Sequence, residues 1–253
     1  MTVNILRWKG GFGGDSLLNM ICNSIPNAKT NVNFLSGVTE HGSTQLESKL
    51  HITGLSYVEL MALENNHVPD NELSYLANEL NVLDNSDDIW WLKSHQYNFD
   101  LFNHVTVDIE ADLLSLPFVV SANINKTLIL EKKYNELASM IPDKETKIKY
   151  AAFSLAKEFI ATPKYKQSIS VSQLLLGWQS VYHSMKIFNI KLASSTESFY
   201  NQWVANNQKY MPSDVYQQKI INQSYNIDHS ELSTIEKYCL LAISGNKFKL
   251  LHN

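Results

Sequence analysis

Four glycines fall within five positions near the start of the chain, in the stretch ILRWKGGFGGDSLLNM from Ile5 to Met20. An apolar run typical of a strand precedes them, and a pattern typical of a helix follows. Such a turn lets backbone amides crowd an anion, and the helix N-terminus adds N–H groups and a positive dipole end. The spacing predicts a phosphate or sulfate site, with a purely structural turn as the alternative. The residues assigned to this site are Lys9, Gly10, Gly11, Gly13, Gly14, Asp15 and Ser16.

Three side chains of this turn bear on its chemistry. Lys9 supplies a mobile positive charge, and Ser16 falls in the first helical turn, where its hydroxyl and its amide can both donate hydrogen bonds. Against the P-loop pattern G-x-x-x-x-G-K-[ST], Gly14 and Ser16 match the end, but Asp15 replaces the lysine. A carboxylate beside phosphate repels it, so a plain ATPase is disfavoured. The G-x-G-x-x-G spacing of dinucleotide sites is not met either.

A second pair of chemically useful residues ends a later strand candidate, DIWWLKSH, at Asp88–His95. In strand geometry Lys93 and His95 share one face near the carboxyl end, where open α/β sheets place their ligands. A histidine there can remove a proton from an acceptor hydroxyl, and a lysine can neutralise charge on a transferring group. The structural alternative is a turn-capping histidine beside a solvated lysine.

Together, the glycine turn after the first strand and the Lys93-Ser94-His95 stretch resemble the sulfotransferases of the P-loop fold. The resemblance implies transfer of a sulfuryl (or phosphoryl) group to a hydroxyl or amine from 3′-phosphoadenosine 5′-phosphosulfate or another nucleotide. It implies that His95 is the base and that Lys93 stabilises developing charge. The stretch Val119–Thr127 takes the place of the family's 3′-phosphate motif, with Ser121 as a donor-binding hydroxyl but without the motif's arginine.

Two alternatives remain open. The first stretch also resembles heptosyltransferase-type glycosyltransferases, in which a glycine loop followed by Gly-Asp leads into an apolar helix. Gly14, Asp15 and Pro26 carry that likeness, which implies a sugar nucleotide and Asp15 as the base. The other alternative is a non-catalytic interaction protein that keeps a degenerate P-loop as scaffold.

The elements that must position these residues change in type along the chain. Strand patterns alternate with helical ones up to about residue 130, and helical patterns follow from Glu131. This predicts an α/β protein, with a P-loop-type parallel sheet in residues 1–130 and an all-helical portion in 131–253 packed on it. The strand candidates are Val3–Trp8, Asn31–Ser36, Asp88–His95, Val105–Ala111 and Pro117–Asn123.

Helix boundaries after Glu131 are predicted from capping boxes, in which a Ser, Thr or Asp precedes a Glu or Gln by three positions. Gly245 is predicted to end the last helix. The boxes are Ser170/Gln173, Ser194/Glu197 and Asp228/Glu231. In the strand VDIEAD, the carboxylates of Asp108, Glu110 and Asp112 share a face, which indicates a solvated edge strand more often than a Mg²⁺ site.

Composition narrows the class of partner. The net charge of −4 disfavours nonspecific binding to nucleic acid or anionic membranes. We expect no membrane span, because no run reaches roughly 18 apolar residues. Cys22 and Cys239 are too few for a disulfide framework, which predicts a cytoplasmic location, and the histidines show no metal-ligand spacing. The sulfotransferase resemblance implies a nucleotide donor and an unidentified acceptor as ligands, and no metal is expected.

Overall fold

The computed structural model describes residues 2–8, 12–30, 33–34, 45–46, 89–94, 105–133, 143–161 and 168–251. The chain forms two compact units that are discontinuous in sequence. The first comprises residues 1–110, 165–169 and 176–206, and the second comprises 111–164, 170–175 and 207–253. The predicted division at residue 130 follows a change in sequence pattern, and it falls inside a helix of the second unit.

Among the described residues, six strands and one helix lie before residue 111, and helices dominate the rest. The strands are β1 (Thr2–Trp8), β2 (Ala28–Thr30), β3 (Asn33–Phe34), β4 (Gln45–Leu46), β5 (Ile89–Ser94), β6 (Val105–Glu110) and β7 (Ser168–Ser170). The helices are α1 (Gly14–Ser24), α2 (Leu116–Lys133), α3 (Lys144–Ala161), α4 (Val171–Leu175), α5 (Trp178–Ile187), α6 (Glu197–Asn207), α7 (Asp214–Ile221) and α8 (Thr234–Leu251). The α/β class predicted from the sequence is confirmed at this coarse level.

A five-stranded sheet with the order β2-β5-β1-β6-β7 is the framework of the first unit. β1 pairs in parallel with β5 and with β6, and β2 pairs in parallel with β5. β1 lies between β5 and β6, and Leu6 and Trp8 on one of its faces and Arg7 on the other are buried, as expected of a strand covered on both faces. β3 and β4 form a separate antiparallel pair.

The strand order creates a switch point between β1 and β6. The chain leaving β1 continues through α1 to β2 on one side, whereas the chain leaving β6 reaches β7 on the other side. Ligands of open parallel sheets bind outside the carboxyl ends of the strands at such a point. The glycine turn begins there, directly after Trp8.

A buried ion pair joins β1 and β6 one residue before that turn. The Arg7 guanidinium donates from Nε to Asp108 Oδ1 at 2.7 Å and from Nη2 to Asp108 Oδ2 at 2.9 Å. The two side chains are only 10% and 5% exposed, and their residues are register partners in the parallel ladder. The prediction that Asp108 lies on a solvated edge strand is therefore wrong, because β6 is an interior strand and Arg7 compensates its charge.

An aromatic cluster completes the core of the first unit. Trp178 of α5 packs on Tyr200 of α6 with ring centroids 5.9 Å apart, and Tyr200 packs on Trp203 at 6.0 Å. The 3₁₀ turn that leads into α6 is tied to α1, since the Ala193 amide donates to Ser24 Oγ at 2.8 Å.

The second unit is built on α2, α3 and α8, whose apolar faces form one core. On α3, Ile148 and Ala152 are buried and Leu155 packs against the core. α8 continues through Gly245, so the predicted stop there is wrong. A Cβ at Gly245 would lie 3.7 Å from the Phe153 ring, an ordinary van der Waals distance, so the packing there would also accept alanine.

Capping explains where the helices begin. The Ser170/Gln173 box is confirmed, since the Ser170 amide donates to Gln173 Oε1 and the Gln173 amide donates to Ser170 Oγ. The box of α8 is Ser233/Glu236 rather than the predicted Asp228/Glu231. Buried Glu236 also accepts from the Ser213 amide at 2.7 Å, so its carboxylate serves two helix starts.

Two strand predictions fail in the region of α2 and β7. Pro117–Asn123 was predicted to be a strand from its paired valines, but it belongs to α2. Asp112 and Ser115 exchange hydrogen bonds just before this helix, and proline is tolerated in a first helical turn, so local capping overrides β propensity. β7 lies after Glu131, where no strand was expected, and three residues are too few to show alternation.

We expect the Arg7–Asp108 pair to be strongly coupled. Arg7→Met or Asp108→Leu alone should lower the free energy of unfolding by about 3–5 kcal/mol, because each leaves the other residue's buried charge without its partner. The double variant should be less destabilised than either single variant. Urea denaturation of the three variants tests this, with exposed Glu231→Gln as a control expected to stay within about 0.5 kcal/mol of the parent. A double variant whose loss equals the sum of the single losses would contradict a coupled pair.

Candidate functional site

The turn between β1 and α1 is held by its own backbone. Gly13 precedes the helix with φ 76° and ψ 10°, the left-handed conformation that glycine adopts without strain. Its carbonyl accepts the Ser16 amide at 3.1 Å and the Leu17 amide at 3.2 Å. The predicted role of the Ser16 amide as an anion donor is not available in this geometry, because that amide is engaged inside the helix.

Gly14 is required by packing. A Cβ on this residue would lie 2.0 Å from Cδ2 of the Trp8 ring, which no side-chain carbon tolerates. The buried indole therefore lies directly against the backbone of the first helical turn. Gly13 and Gly14 thus have structural explanations of their own, and an anion is not needed to account for either glycine.

The Ser16 hydroxyl is the feature of the turn that packing does not explain. Ser16 is 1% exposed, and within the part of the chain that the structure describes its Oγ has no hydrogen-bond partner. A buried hydroxyl without a partner costs about 1–3 kcal/mol. It lies in the first turn of an eleven-residue helix at the carboxyl edge of the sheet, where anions bind. Within the described ranges, Thr30 Oγ1 and Trp91 Nε1, register partners on β2 and β5, are also buried without hydrogen-bond partners.

Asp15 lies in the same turn and is partly buried. A carboxylate in a first helical turn interacts favourably with the helix dipole, so Asp15 has a structural role there. Lys9, Gly10 and Gly11 lie outside the described residues. Their assignment to the anion site stays a prediction.

Lys93, the described member of the second candidate pair, lies near the same edge of the sheet. β5 neighbours β1 in parallel, with Lys93 opposite Leu6 and Ser94 opposite Arg7. The last residues of β5 therefore lie beside the end of β1, from which the glycine turn leaves. His95 follows Ser94 and lies outside the described residues, so its proposed role as a base stays a prediction.

Ser121 belongs to the second unit. It is buried within α2 and its hydroxyl donates to the Pro117 carbonyl four residues earlier at 2.8 Å. This bond satisfies the hydroxyl inside its own helix. The predicted use of Ser121 as a donor-binding group therefore has a competing structural explanation.

Arg7 is the residue near the site that the sequence analysis did not assign. It is the sole arginine of the chain, and it stands two residues before Lys9 in a strand that is otherwise apolar or small. A charged residue inside a buried strand needs a partner, and that signal was present. Its partner Asp108 is 101 positions away, and only the parallel register brings them together.

The described residues limit the chemistry further. Within those ranges no three side chains of His, Cys, Asp or Glu are grouped so that they could hold a metal ion. None of the helices described combines the length and apolar character needed to cross a membrane.

Burial raises the pKa of the Cys22 thiol to about 12. Burial, and to a smaller extent the negative charge of Glu236, raises the pKa of the Cys239 thiol well above its usual value. Neither thiol forms a thiolate nucleophile near neutral pH.

Comparison of the chain with protein-family models, curated proteins and solved structures found no match. The class assigned below therefore depends on the residues and geometry described above.

We expect Gly14→Ala to lower the free energy of unfolding by at least about 1–3 kcal/mol, the usual cost of overpacking. Gly13→Ala should cost about 1 kcal/mol from its positive φ, and Gly13→Asn should cost less, because asparagine tolerates this conformation. Urea denaturation measures all three variants. Replacing the Trp8 ring by leucine should relieve part of the Gly14→Ala loss, so strictly additive losses would argue against the ring contact.

Alkaline pH should destabilise the fold through its buried acids. The unfolded thiols ionise above about pH 8.5, whereas the folded thiols stay neutral, so stability present at pH 7 falls as pH rises toward 12. The same holds from about pH 10 for Tyr200, whose pKa burial raises to about 12. The free energy of unfolding, measured by urea denaturation between about pH 7 and 10.5, should fall less steeply in Cys22→Ala, by up to about 1 kcal/mol per pH unit. An unchanged slope would show that Cys22 titrates alike in both states.

Proposed function

We propose that the protein is a group transferase of sulfotransferase-like type that binds a nucleotide donor at the turn between β1 and α1. The observation that carries the proposal is the buried Ser16 hydroxyl in the first turn of α1, which has no hydrogen-bond partner among the described residues. Its place at the switch point of a parallel sheet supports a ligand there rather than a simple packing defect.

The donor is proposed to bind through an anionic phosphate or sulfate group. Ser16 Oγ–H donates to one of its oxygens. The amide of Gly14, the first residue of α1, lies at the positive end of the helix dipole, which favours an anion. Lys9 adds the positive charge that a phosphate needs beside Asp15. The donor class is 3′-phosphoadenosine 5′-phosphosulfate or another nucleotide.

The transfer step is proposed to use the end of β5. His95 takes the proton from the acceptor hydroxyl or amine as the acceptor atom bonds to sulfur, and the bond from sulfur to the donor's bridging oxygen breaks. The electron pair leaves with the nucleotide phosphate. Lys93 offsets the charge on the transferring group, and most of the catalysis comes from positioning and charge neutralisation.

The glycosyltransferase alternative has less support in the fold. The order β2-β5-β1-β6-β7 differs from the 3-2-1-4-5-6 order of dinucleotide-type sheets, since β5 separates β2 from β1. Asp15, its proposed base, has a structural role at the helix dipole. A sugar-nucleotide ligand and a ligand-free interaction protein are both retained as outcomes of the experiment.

We expect the melting temperature to rise with adenosine 3′,5′-bisphosphate, and this rise to be lost in Ser16→Ala. At a ligand concentration about 100 times the dissociation constant, binding adds about 2.7 kcal/mol, a shift of several degrees for a chain of this size. ATP, GTP and UDP-glucose complete the screen. The matched control is Ser198→Ala, an exposed serine of α6 whose variant should keep the full shift.

Each result separates the candidates. A shift only with UDP-glucose would replace the sulfotransferase by the glycosyltransferase, and no shift with any ligand would favour the interaction protein. Where the bisphosphate binds, His95→Ala should leave its dissociation constant unchanged and lower turnover about 10²–10⁴-fold. Equal losses in binding and turnover would remove the base assignment.

A further inference from the structure

A cavity of about 530 Å³ lies in the second unit, between α2 and α3. Its volume falls within the 300–1,000 Å³ typical of small-molecule sites. It shares no residue with the turn at Ser16, so it is argued separately from the proposed transferase. The lining residues on α2 are Asn123 and Ile124, and those on α3 are Thr146, Lys147, Tyr150, Ala151, Ser154 and Leu155.

The α3 side of the cavity consists of two rows with a four-residue repeat. The inner row, Lys147, Ala151 and Leu155, is partly buried, and the outer row, Thr146, Tyr150 and Ser154, is exposed. Residues four apart stack on one face of a helix, so each row runs along the helix axis. Ala151 is the small member between two long side chains, and its size contributes to the hollow.

The inner row changes from charged to apolar along its length. Lys147 lies at the N-terminal end, and Ala151 and Leu155 follow over about 12 Å of helix. Ile124 of α2, 5% exposed, adds an apolar wall. The cavity thus has one cationic end, at Lys147, and is otherwise lined along its inner row by apolar side chains.

Two carboxylates near the Lys147 end accept hydrogen bonds from other groups. Asp143 accepts hydrogen bonds from the Glu145 and Thr146 amides and from the Thr146 hydroxyl, which engages it as the cap of α3. Glu145 accepts the Tyr238 phenol, and neither carboxylate lines the cavity. Lys147 is the charged residue of the lining.

We propose that this cavity binds a small amphipathic carboxylate, such as a medium-chain fatty acid. The carboxylate pairs with Lys147, and the hydrocarbon lies over Ala151 and Leu155 against Ile124. Exposed Tyr150, 79% accessible, lies at the rim, where its ring can cover the bound chain. Apolar burial supplies most of the affinity, and the lysine selects the acid over a neutral molecule of the same length.

Calorimetric titration of the full chain with decanoate and with decanol, both below their micelle or solubility limits, tests the proposal. We expect decanoate to bind at least about tenfold more tightly than decanol. Lys147→Met should remove that preference and leave decanol binding unchanged. Lys149→Met removes the same charge from an exposed α3 position outside the lining and should change neither ligand.

A second set of variants tests the proposal by filling the cavity with a larger side chain. Ala151→Leu should abolish binding of both ligands, whereas Ala205→Leu on the exposed face of α6 should not. Ser154→Trp, which narrows the cavity from its exposed row, replaces Ala151→Leu if that variant has a lowered melting temperature. The proposal is overturned if decanoate does not bind, if it binds no better than decanol, or if it still binds to a correctly folded filled variant.

Discussion

The arrangement of the first unit depends on the buried pairing of Arg7 with Asp108. Removing two charges from water is costly, and only a bidentate, fully satisfied geometry recovers that cost. The pair exists in one register of β1 against β6, because slipping either strand by a residue turns one partner to the opposite face. The ion pair therefore contributes more to specifying the register than to net stability. It fixes where β1 ends relative to β6, and hence where the glycine turn begins.

Once β1 is in place, the turn follows from packing. Trp8 comes directly after Arg7, and its buried ring leaves room for a glycine alone at position 14. The chain must then enter α1 through a left-handed residue, which Gly13 provides. This geometry does not require a bound phosphate. The Trp8 ring already requires glycine at position 14, and the left-handed backbone conformation already favours glycine at position 13. The dense glycines of the sequence were therefore a correct indication of a tight strand–helix turn, but they overstate the case for an anion.

Prediction from the sequence succeeded where local signals agree. β1, β5 and β6 lie within one residue of their predicted bounds at each end, and a helix, α1, follows the glycine turn as its sequence pattern indicates. It failed where two local signals compete, as at Pro117–Asn123, or where identical box spacings recur within one segment, as at Asp228 and Ser233. Of the candidate site, the turn and Ser16 could be found because they are contiguous. The Arg7–Asp108 pair could not, because strand order and register are long-range properties and their signal is spread over about a hundred residues.

The case for a ligand at the turn depends on what Ser16 would be without one. A serine buried in the first turn of a helix loses its hydrogen bonds to water, and Ser16 gains none from the described chain. Alanine would fill the same space, favour the helix more and carry no polar atom to desolvate. A hydroxyl that only weakens its own helix is the kind of local inconsistency that folded proteins concentrate at functional positions.

Asp15 does not oppose this inference. Its carboxylate favours the helix N-terminus in the absence of ligand, so an incoming anion must bring its own compensation, through a nearby lysine or a neutralising hydrogen bond. The turn is therefore better suited to a ligand that also binds elsewhere along the sheet edge than to an isolated phosphate ion.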